Sequence, residues 1–318
     1  MPSTENAFEI VKNCIPNAIN KMNQFCQEVL KTRGGRIGSG MGGLLEALWG
    51  YYMNTELSTT ECEIAWFPNH QYHDFACLHK TADWNEETKA GEFFRIEAKT
   101  MNTGADESKG HFDVLKNELE EYDSLIILTW EWKSISVTYN TPYITDYFFG
   151  KSIPITQIRD ELHIARGGSF VDPNNCPDHC IPADCTHSGE PLNEQGKRER
   201  LSGPDSCRPS QKVSYAANFG GLVRMLKTNN SESRSKFREL RRDNRIVDEY
   251  VSFIHRNSKL HFSQMSNLLE SISCLSLYFS QVCNLFKRAF SNSLCPLLID
   301  IGNVESLPLI LVISIILI

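Results

Sequence analysis

The sequence predicts an α/β fold, a mixed sheet flanked by helices, with a cysteine-rich insert and a helical C-terminal part. Three observations predict it. Strand-like segments at Cys62 to Phe67, His73 to Leu78 and Glu92 to Thr100 follow one another. A helical segment from about Phe112 to Tyr122 comes next. The apolar run Ser124-Leu125-Ile126-Ile127-Leu128-Thr129-Trp130 then reads as a strand buried on both faces. Strands interrupted by a helix and closed by a fully buried strand belong to a mixed α/β sheet.

The remaining elements follow in chain order. Ala7, Ile10, Val11, Cys14, Ile15 and Ile19 stand near helical spacing, which places a helix in the first 31 residues. A glycine-rich stretch, Gly34 to Gly43, leads into a second helix, Leu44 to Tyr52. That stretch lacks the G-x-x-x-x-G-K-[ST] order and no strand clearly precedes it, so no nucleotide cofactor is expected. Arg33 and Arg36 leave two readings for it, a contact to a phosphate backbone or a flexible entry. The chain divides into a core at 1–150, a cysteine-rich insert with basic helices at 151–257, and a low-charge tail at 258–318. The tail carries only Lys259, Glu270, Lys287, Arg288, Asp300 and Glu305 as charges. Its last apolar run, Leu307 to Ile318, has twelve residues, and a spanning helix needs about twenty. Membrane association is therefore not expected, and a frameshifted or read-through end is an alternative for this zone.

Charge is unevenly spread. The 318 residues carry a formal net charge of −7, which by itself argues mildly against a nucleic-acid partner. Between Gly196 and Arg245, however, thirteen basic residues face five acidic ones, a local balance of +8 against −15 elsewhere. Such segregation suggests a basic, phosphate-facing part and an acidic, metal-binding part. The polar start, Met1-Pro2-Ser3-Thr4-Glu5-Asn6, has no secretory pattern, so a cytoplasmic location is expected. The eleven cysteines then read as thiols or metal ligands rather than disulfides.

Two segments carry the chemistry, Tyr72-His73-Asp74-Phe75-Ala76-Cys77-Leu78 and Phe93-Phe94-Arg95-Ile96-Glu97-Ala98-Lys99-Thr100. Alternation along a strand puts Glu97 and Lys99 on one face and Ile96 and Ala98 on the other. A carboxylate and an amine on an otherwise apolar strand are costly to bury unless paired or metal-bound. If the two strands pair, Asp74 and Glu97 converge on one cation. Mg²⁺ held by a few carboxylates stabilises charge on phosphoryl oxygens, and Lys99 would position the attacking water or assist its deprotonation. Asp83, in the loop Thr81-Ala82-Asp83-Trp84-Asn85, competes with Asp74 for the metal role. An ordinary surface ion pair between Glu97 and Lys99 is the plain alternative.

This arrangement resembles the PD-(D/E)xK nuclease superfamily, in particular the type II restriction endonucleases. The resemblance rests on Asp74, on Glu97-Ala98-Lys99 in the next apolar strand, and on Glu46 in a preceding helix. It covers roughly residues 34 to 135. His73 stands where the family often has proline. The resemblance implies a restriction-endonuclease-like sheet and Mg²⁺-dependent, site-specific hydrolysis of double-stranded DNA. It also implies a metal-linked role for Glu46, for which a solvated helix position is the alternative. A homodimer on DNA is expected. The rivals are a repair or recombination nuclease and a zinc-bearing DNA-binding protein without catalysis.

Two further motifs stand out. Cys176-Pro177-Asp178-His179-Cys180-Ile181-Pro182-Ala183-Asp184-Cys185-Thr186-His187 is dense in soft ligands. Cys176, Cys180, Cys185 and His187 are the expected zinc set, with Cys207 or His179 able to replace one member. Farther on, Arg238, Arg241, Arg242 and Arg245 fall at i, i+3, i+4 and i+7, one face of a single predicted helix. An arginine stripe suits a phosphate backbone, and Arg224 with Lys227 would extend it. A solvated face paired with Glu239 and Asp243 is the alternative.

Overall fold

The computed structural model describes residues 2–34, 40–68, 73–103, 112–176, 180–192, 219–228 and 230–258. Arg36, His179, Cys207 and the tail from 259 onward lie outside the described residues. Helix α1 (Thr4–Val29) starts at Ser3, whose hydroxyl accepts from the Asn6 amide at 3.2 Å. Its apolar stripe of Ala7, Val11, Ile15, Ala18, Met22 and Cys26 is buried, as the helical spacing requires. Helix α2 (Met41–Glu56) follows the glycine-rich stretch.

Five strands form one sheet in sequence order: β1 (Cys62–Trp66), β2 (Phe75–His79), β3 (Glu92–Asn102), β4 (Ser124–Ser134) and β5 (Asn140–Lys151). Only β3 and β4 run parallel; the other neighbours are antiparallel. The sheet is mixed, as the sequence predicts. Its residues alternate between two cores. Phe94, Ile96, Ala98, Ile126 and Leu128 pack with α1 and α2. Met101, Leu125 and Ile127 face the opposite way, towards α3 (Ser152–Ala165), α4 (Ser231–Asp243) and α5 (Arg245–Asn257).

Both outer strands are closed by an asparagine side chain that acts as a peptide group. Asn54 of α2 donates to Ile64 O and accepts from Ile64 N on β1, both at 2.7 Å. Asn23 of α1 does the same to Ile144 on β5, at 3.0 and 2.7 Å. A sheet edge is a template for unwanted pairing, and these amides occupy it from the helical layer.

The structure differs from the sequence reading in three places. The segment 112–122 is not an α-helix. It is irregular, with one 3-10 turn at Lys116–Glu118 and a further turn at Glu121–Tyr122. Several of its backbone groups are taken by side chains instead. Arg159 donates to Phe112 O and Val114 O at 2.7 and 2.9 Å, and the Asp123 carboxylate accepts from Glu120 N at 2.9 Å. Second, β5 and α3 are additional elements. Third, the basic segment is two helices, broken at Asn244. No helix among the described residues is long and apolar enough to cross a membrane.

Beyond α3 a two-stranded ribbon, β6 (Ser169–Phe170) with β7 (Pro191–Leu192), carries the cysteine-rich insert at its end. His163 from the last turn of α3 clasps its base, with Nε2 lying 2.9 Å from Leu192 O and 3.2 Å from Ser169 O.

Candidate functional site

The site forms where the sheet forks. β2 and β3 pair up to Phe75↔Ile96, and Asp74 N donates to Ile96 O at 3.2 Å. Beyond that point β3 continues along β4 as far as Asn102↔Trp130. The Ala98 amide, no longer in the β2 ladder, donates to Asp74 Oδ2 at 2.8 Å. That bond pulls the Asp74 carboxylate beside the two residues flanking Ala98. Lys99 Nζ lies 3.7 Å from Asp74 Oδ2 and forms a closer ion pair with Glu97 Oε1. Asp74, Glu97 and Lys99 are thus brought together as the strand pattern predicts. Asp83 is not; it follows β2 and is exposed, with a five-residue strand, roughly 17 Å, between it and Asp74.

Glu46 joins them from α2. Gly42, Glu46 and Gly50 stand at i, i+4 and i+8, one face of that helix. A Cβ at Gly42 would lie 2.6 Å from Thr100 Oγ1, and one at Gly50 would lie 2.7 Å from Phe75 Cε1. Only glycine lets α2 approach the sheet this closely at both ends. The acid between them feels Asp74, which raises its pKa, and Lys99 and Thr100, which lower it. The solvated-position alternative for Glu46 does not match this placement. Thr100 and the two glycines are site-building residues that the sequence reading missed. The Gly-x₃-Glu-x₃-Gly spacing was their signal.

Burial dominates the electrostatics. Glu97 is 6 % exposed, and desolvation raises its pKa to about 8, with Asp74 and Glu46 adding to the shift and Lys99 opposing it. Its Oε2 is buried without a hydrogen-bond partner. Glu46 is pushed up to about 7, by desolvation first and Asp74 second. Desolvation alone would lower Lys99, but Glu97 and Asp74 outweigh it, and the ammonium is held above its ordinary value. Adjacent His73 is buried and neutral, its pKa lowered to about 3 chiefly by desolvation.

Because the folded-state pKa of Glu97 is raised, the native state holds a proton that the unfolded state has lost between pH 4.5 and about 8. Stability therefore falls as pH rises through that window. In chelator-treated protein, Glu97→Gln is expected to flatten this dependence and to be the more stable form at pH 8.5, by on the order of a few kcal/mol. Lys99 keeps Asp74 as its partner in this variant. Thermal melts of both proteins from pH 5 to 8.5 check it; parallel curves would show that Glu97 ionises normally.

The second cluster lies at the end of the β6–β7 ribbon. Cys176, Cys180, Cys185 and His187 each offer a ligand atom, and these atoms all lie within 4.8 Å of one another. His187 Nδ1 is 3.0 Å from Cys180 Sγ and 3.5 Å from Cys176 Sγ. Ligand pairs around a tetrahedral zinc are separated by about 3.5–3.8 Å, given bonds of about 2.0–2.3 Å. The group could hold a metal ion such as zinc, and its four members are those the spacing selects. Val171, Cys176 and Leu192 form a small core beneath it.

The chain matches no protein-family model and no curated protein.

The arginines predicted to share one face do not. Asn244 adopts an extended conformation, φ −137° and ψ 115°, and ends α4. Its side chain then caps α5, accepting from Ile246 N at 3.0 Å and Val247 N at 3.3 Å. Arg245 therefore opens a new helix and pairs with Glu249 at 2.7 Å. Arg241 is tied to Asp248 and to Ser252 Oγ, and Arg242 pairs with Asp243 at 2.6 Å. Arg238 and Arg242 remain exposed on α4, one turn apart. Arg224 sits in a separate 3-10 turn, Arg224–Leu226.

Proposed function

We propose that this chain is a Mg²⁺-dependent endonuclease of double-stranded DNA, site-specific in the manner of type II restriction enzymes, with Asp74, Glu97, Lys99 and Glu46 as its active site. The observation that carries the proposal is the convergence of three carboxylates and one ammonium on the fork between β2 and β3, with a buried Glu97 oxygen left without a partner. An ordinary surface ion pair does not account for it. Surface pairs are solvated and worth little, whereas Glu97 is buried and aimed at other acids.

The donor set suits a hard divalent cation. Asp74 and Glu97 supply carboxylate oxygens, the ligands Mg²⁺ prefers, and Glu97 Oε2 is a buried acceptor that such an ion would satisfy. When bound, the ion supplies charge neutralisation at the phosphoryl oxygens. The chain's own residues do the rest. Lys99 stays protonated at neutral pH, so its Nζ acts as a hydrogen-bond donor that orients the attacking water rather than as a base. Asp74 fixes the Ala98 amide and with it the spacing of the two flanking side chains. Glu46, with a pKa of about 7, can accept the water's proton near neutrality.

The direct test is incubation of supercoiled plasmid with the protein, with and without Mg²⁺. Discrete fragments support a site-specific enzyme, a smear supports a less specific nuclease, and no cutting overturns the proposal in favour of a DNA-binding protein. The +8 balance between Gly196 and Arg245 motivates the binding half of the reading. Arg241 is engaged within the protein, so the alanine test falls on Arg238 and Arg242. Their replacement is expected to weaken DNA binding and flatten its salt dependence by roughly one unit of slope per lost phosphate contact. Unchanged slope in a salt titration would mark α4 as a solvated face. The Cys₃His cluster is assigned a structural zinc, since four protein ligands complete a tetrahedral site and leave no open position for a substrate.

A further inference from the structure

Trp66 is out of place by the logic of its own strand. Along β1, Cys62 and Ile64 point into the core beneath α1 and α2, and Trp66 shares their alternation. Yet it is 52 % exposed. Helix α2 covers Ile64 through Asn54 and covers Phe75 through Gly50. It leaves the outer face of the last indole open.

The exposed ring nevertheless has an aromatic backing. It stacks on Phe75 with ring centroids 5.2 Å apart and an interplanar angle of 6°. Phe75 in turn meets the fully buried Trp49 edge-on at 5.2 Å. The result is an aromatic cluster whose two inner rings are core and whose outer ring, stacked on Phe75, is half exposed. Its position ties it to the site. Trp66 pairs with Phe75 across the β1–β2 ladder, and the next rung is Phe67 N donating to Asp74 O at 3.2 Å. Trp66 therefore lies on the rung next to the Asp74 backbone, on the side of the sheet where Gly50 of α2 meets Phe75.

We infer that Trp66 is a stacking platform for a nucleobase of the DNA strand being cut, set next to the scissile phosphate. This rests on the nuclease reading and adds to it the element that grips the base. The chemistry matches. A nucleobase is a flat π-system, and aromatic side chains that receive unstacked bases contribute strongly and with little dependence on sequence. A planar ring beside the reacting phosphate also fixes the register of the strand, as wedge residues do when they part a base step.

The test is equilibrium binding of a short labelled duplex in chelator, together with plasmid cleavage kinetics in Mg²⁺, for wild type, Trp66→Phe and Trp66→Leu. Leucine covers Phe75 but cannot stack, so it separates stacking from filling. Trp66→Leu is expected to weaken duplex binding by about tenfold or more and to raise KM by a similar factor, while Trp66→Phe stays near wild type. Equal affinity for Trp66→Leu and wild type, with Lys99→Ala still abolishing cleavage, would overturn the stacking role and leave the nuclease standing. A wild-type protein that binds no duplex would remove both. A Trp66→Leu protein that loses a dimer by sedimentation while keeping its affinity per protomer would assign the ring to a second copy of the chain, and this too would overturn the inference.

Discussion

Lys99→Ala is expected to abolish detectable cleavage, a fall of at least about 10³-fold, while leaving duplex binding close to wild type. The magnitude follows from removing a fixed donor at a site of developing charge, where single preorganised donors are worth about 10²–10³, plus the loss of a counter-charge. Lys99 is the only cation the structure places in direct ion pairs with Glu97 and Asp74 among the described residues. Without it, nothing opposes the burial that raises the Glu97 pKa, and its proton becomes harder for an entering cation to displace. Glu97→Ala is expected to give the same loss by the opposite route, leaving the ammonium but deleting the buried acceptor. Cleavage assays and duplex binding on both variants, each shown to melt cooperatively, check this. Wild-type cutting by either well-folded variant would sink the assignment of the active site.

How far the sequence carried this site depends on which residues one asks about. Strand alternation was enough to place Glu97 and Lys99 on one face and Ile96 and Ala98 on the other, because β3 is buried on both sides and a polar pair within it stands out. The fork was not legible. It exists because the β2 register ends at Phe75 while β3 runs on, and the end of a ladder is a tertiary fact. Glu46 was readable only as one acid in a helix. What makes it part of the site is the close approach that Gly42 and Gly50 permit, and those glycines were absorbed into the reading of a glycine-rich loop or passed over within the helix.

The fold shows the same division. The strands β1 to β4 were read within a few residues of their observed limits, since each has alternation or an unbroken apolar run. β5 has neither; Pro142, Thr145 and Asp146 interrupt it, as an edge strand tolerates. α3 opens Ser152-Ile153-Pro154-Ile155, a β-branched and proline-containing start that hides the later Ile158 and Leu162 spacing. The false helix at 112–122 had the right period, Phe112, Leu115, Leu119 and Tyr122, but Arg159 and Asp123 take the backbone groups a helix would use. In α4 and α5, period alone joined two helices that a single asparagine divides. Local pattern locates buried faces well, and it fails where a long-range side chain competes for the backbone.

Protein purified without chelator is expected to contain about one zinc per chain, and stripping it is expected to unfold the ribbon that carries the cluster while leaving the sheet intact. The ribbon has little else to hold it. β6 and β7 are two residues each, and their core is Val171, Cys176 and Leu192 with Cys180 and Cys185 packed against it. A core this small does not offset the conformational entropy of ordering the ribbon. A structural zinc adds to it directly, because a site that does not exist in the unfolded chain turns metal-binding free energy into folding free energy. The disturbance should stop at α3. His163 clasps Ser169 O and Leu192 O, but α3 itself is packed through Ile155, Ile158 and Leu162 into the large core shared with α4 and α5. Metal analysis fixes the stoichiometry. Hydrogen exchange before and after chelation then locates the effect, with the amides of Val171 and Gly189, which bond Glu190 O and Val171 O, expected to lose protection and those of β3 and β4 to keep theirs. Cys185→Ala should reproduce the chelated state without chelator. Absence of zinc, or unchanged exchange in the ribbon after the metal is removed, would show that the Cys₃His group is a chance meeting of thiols and imidazole.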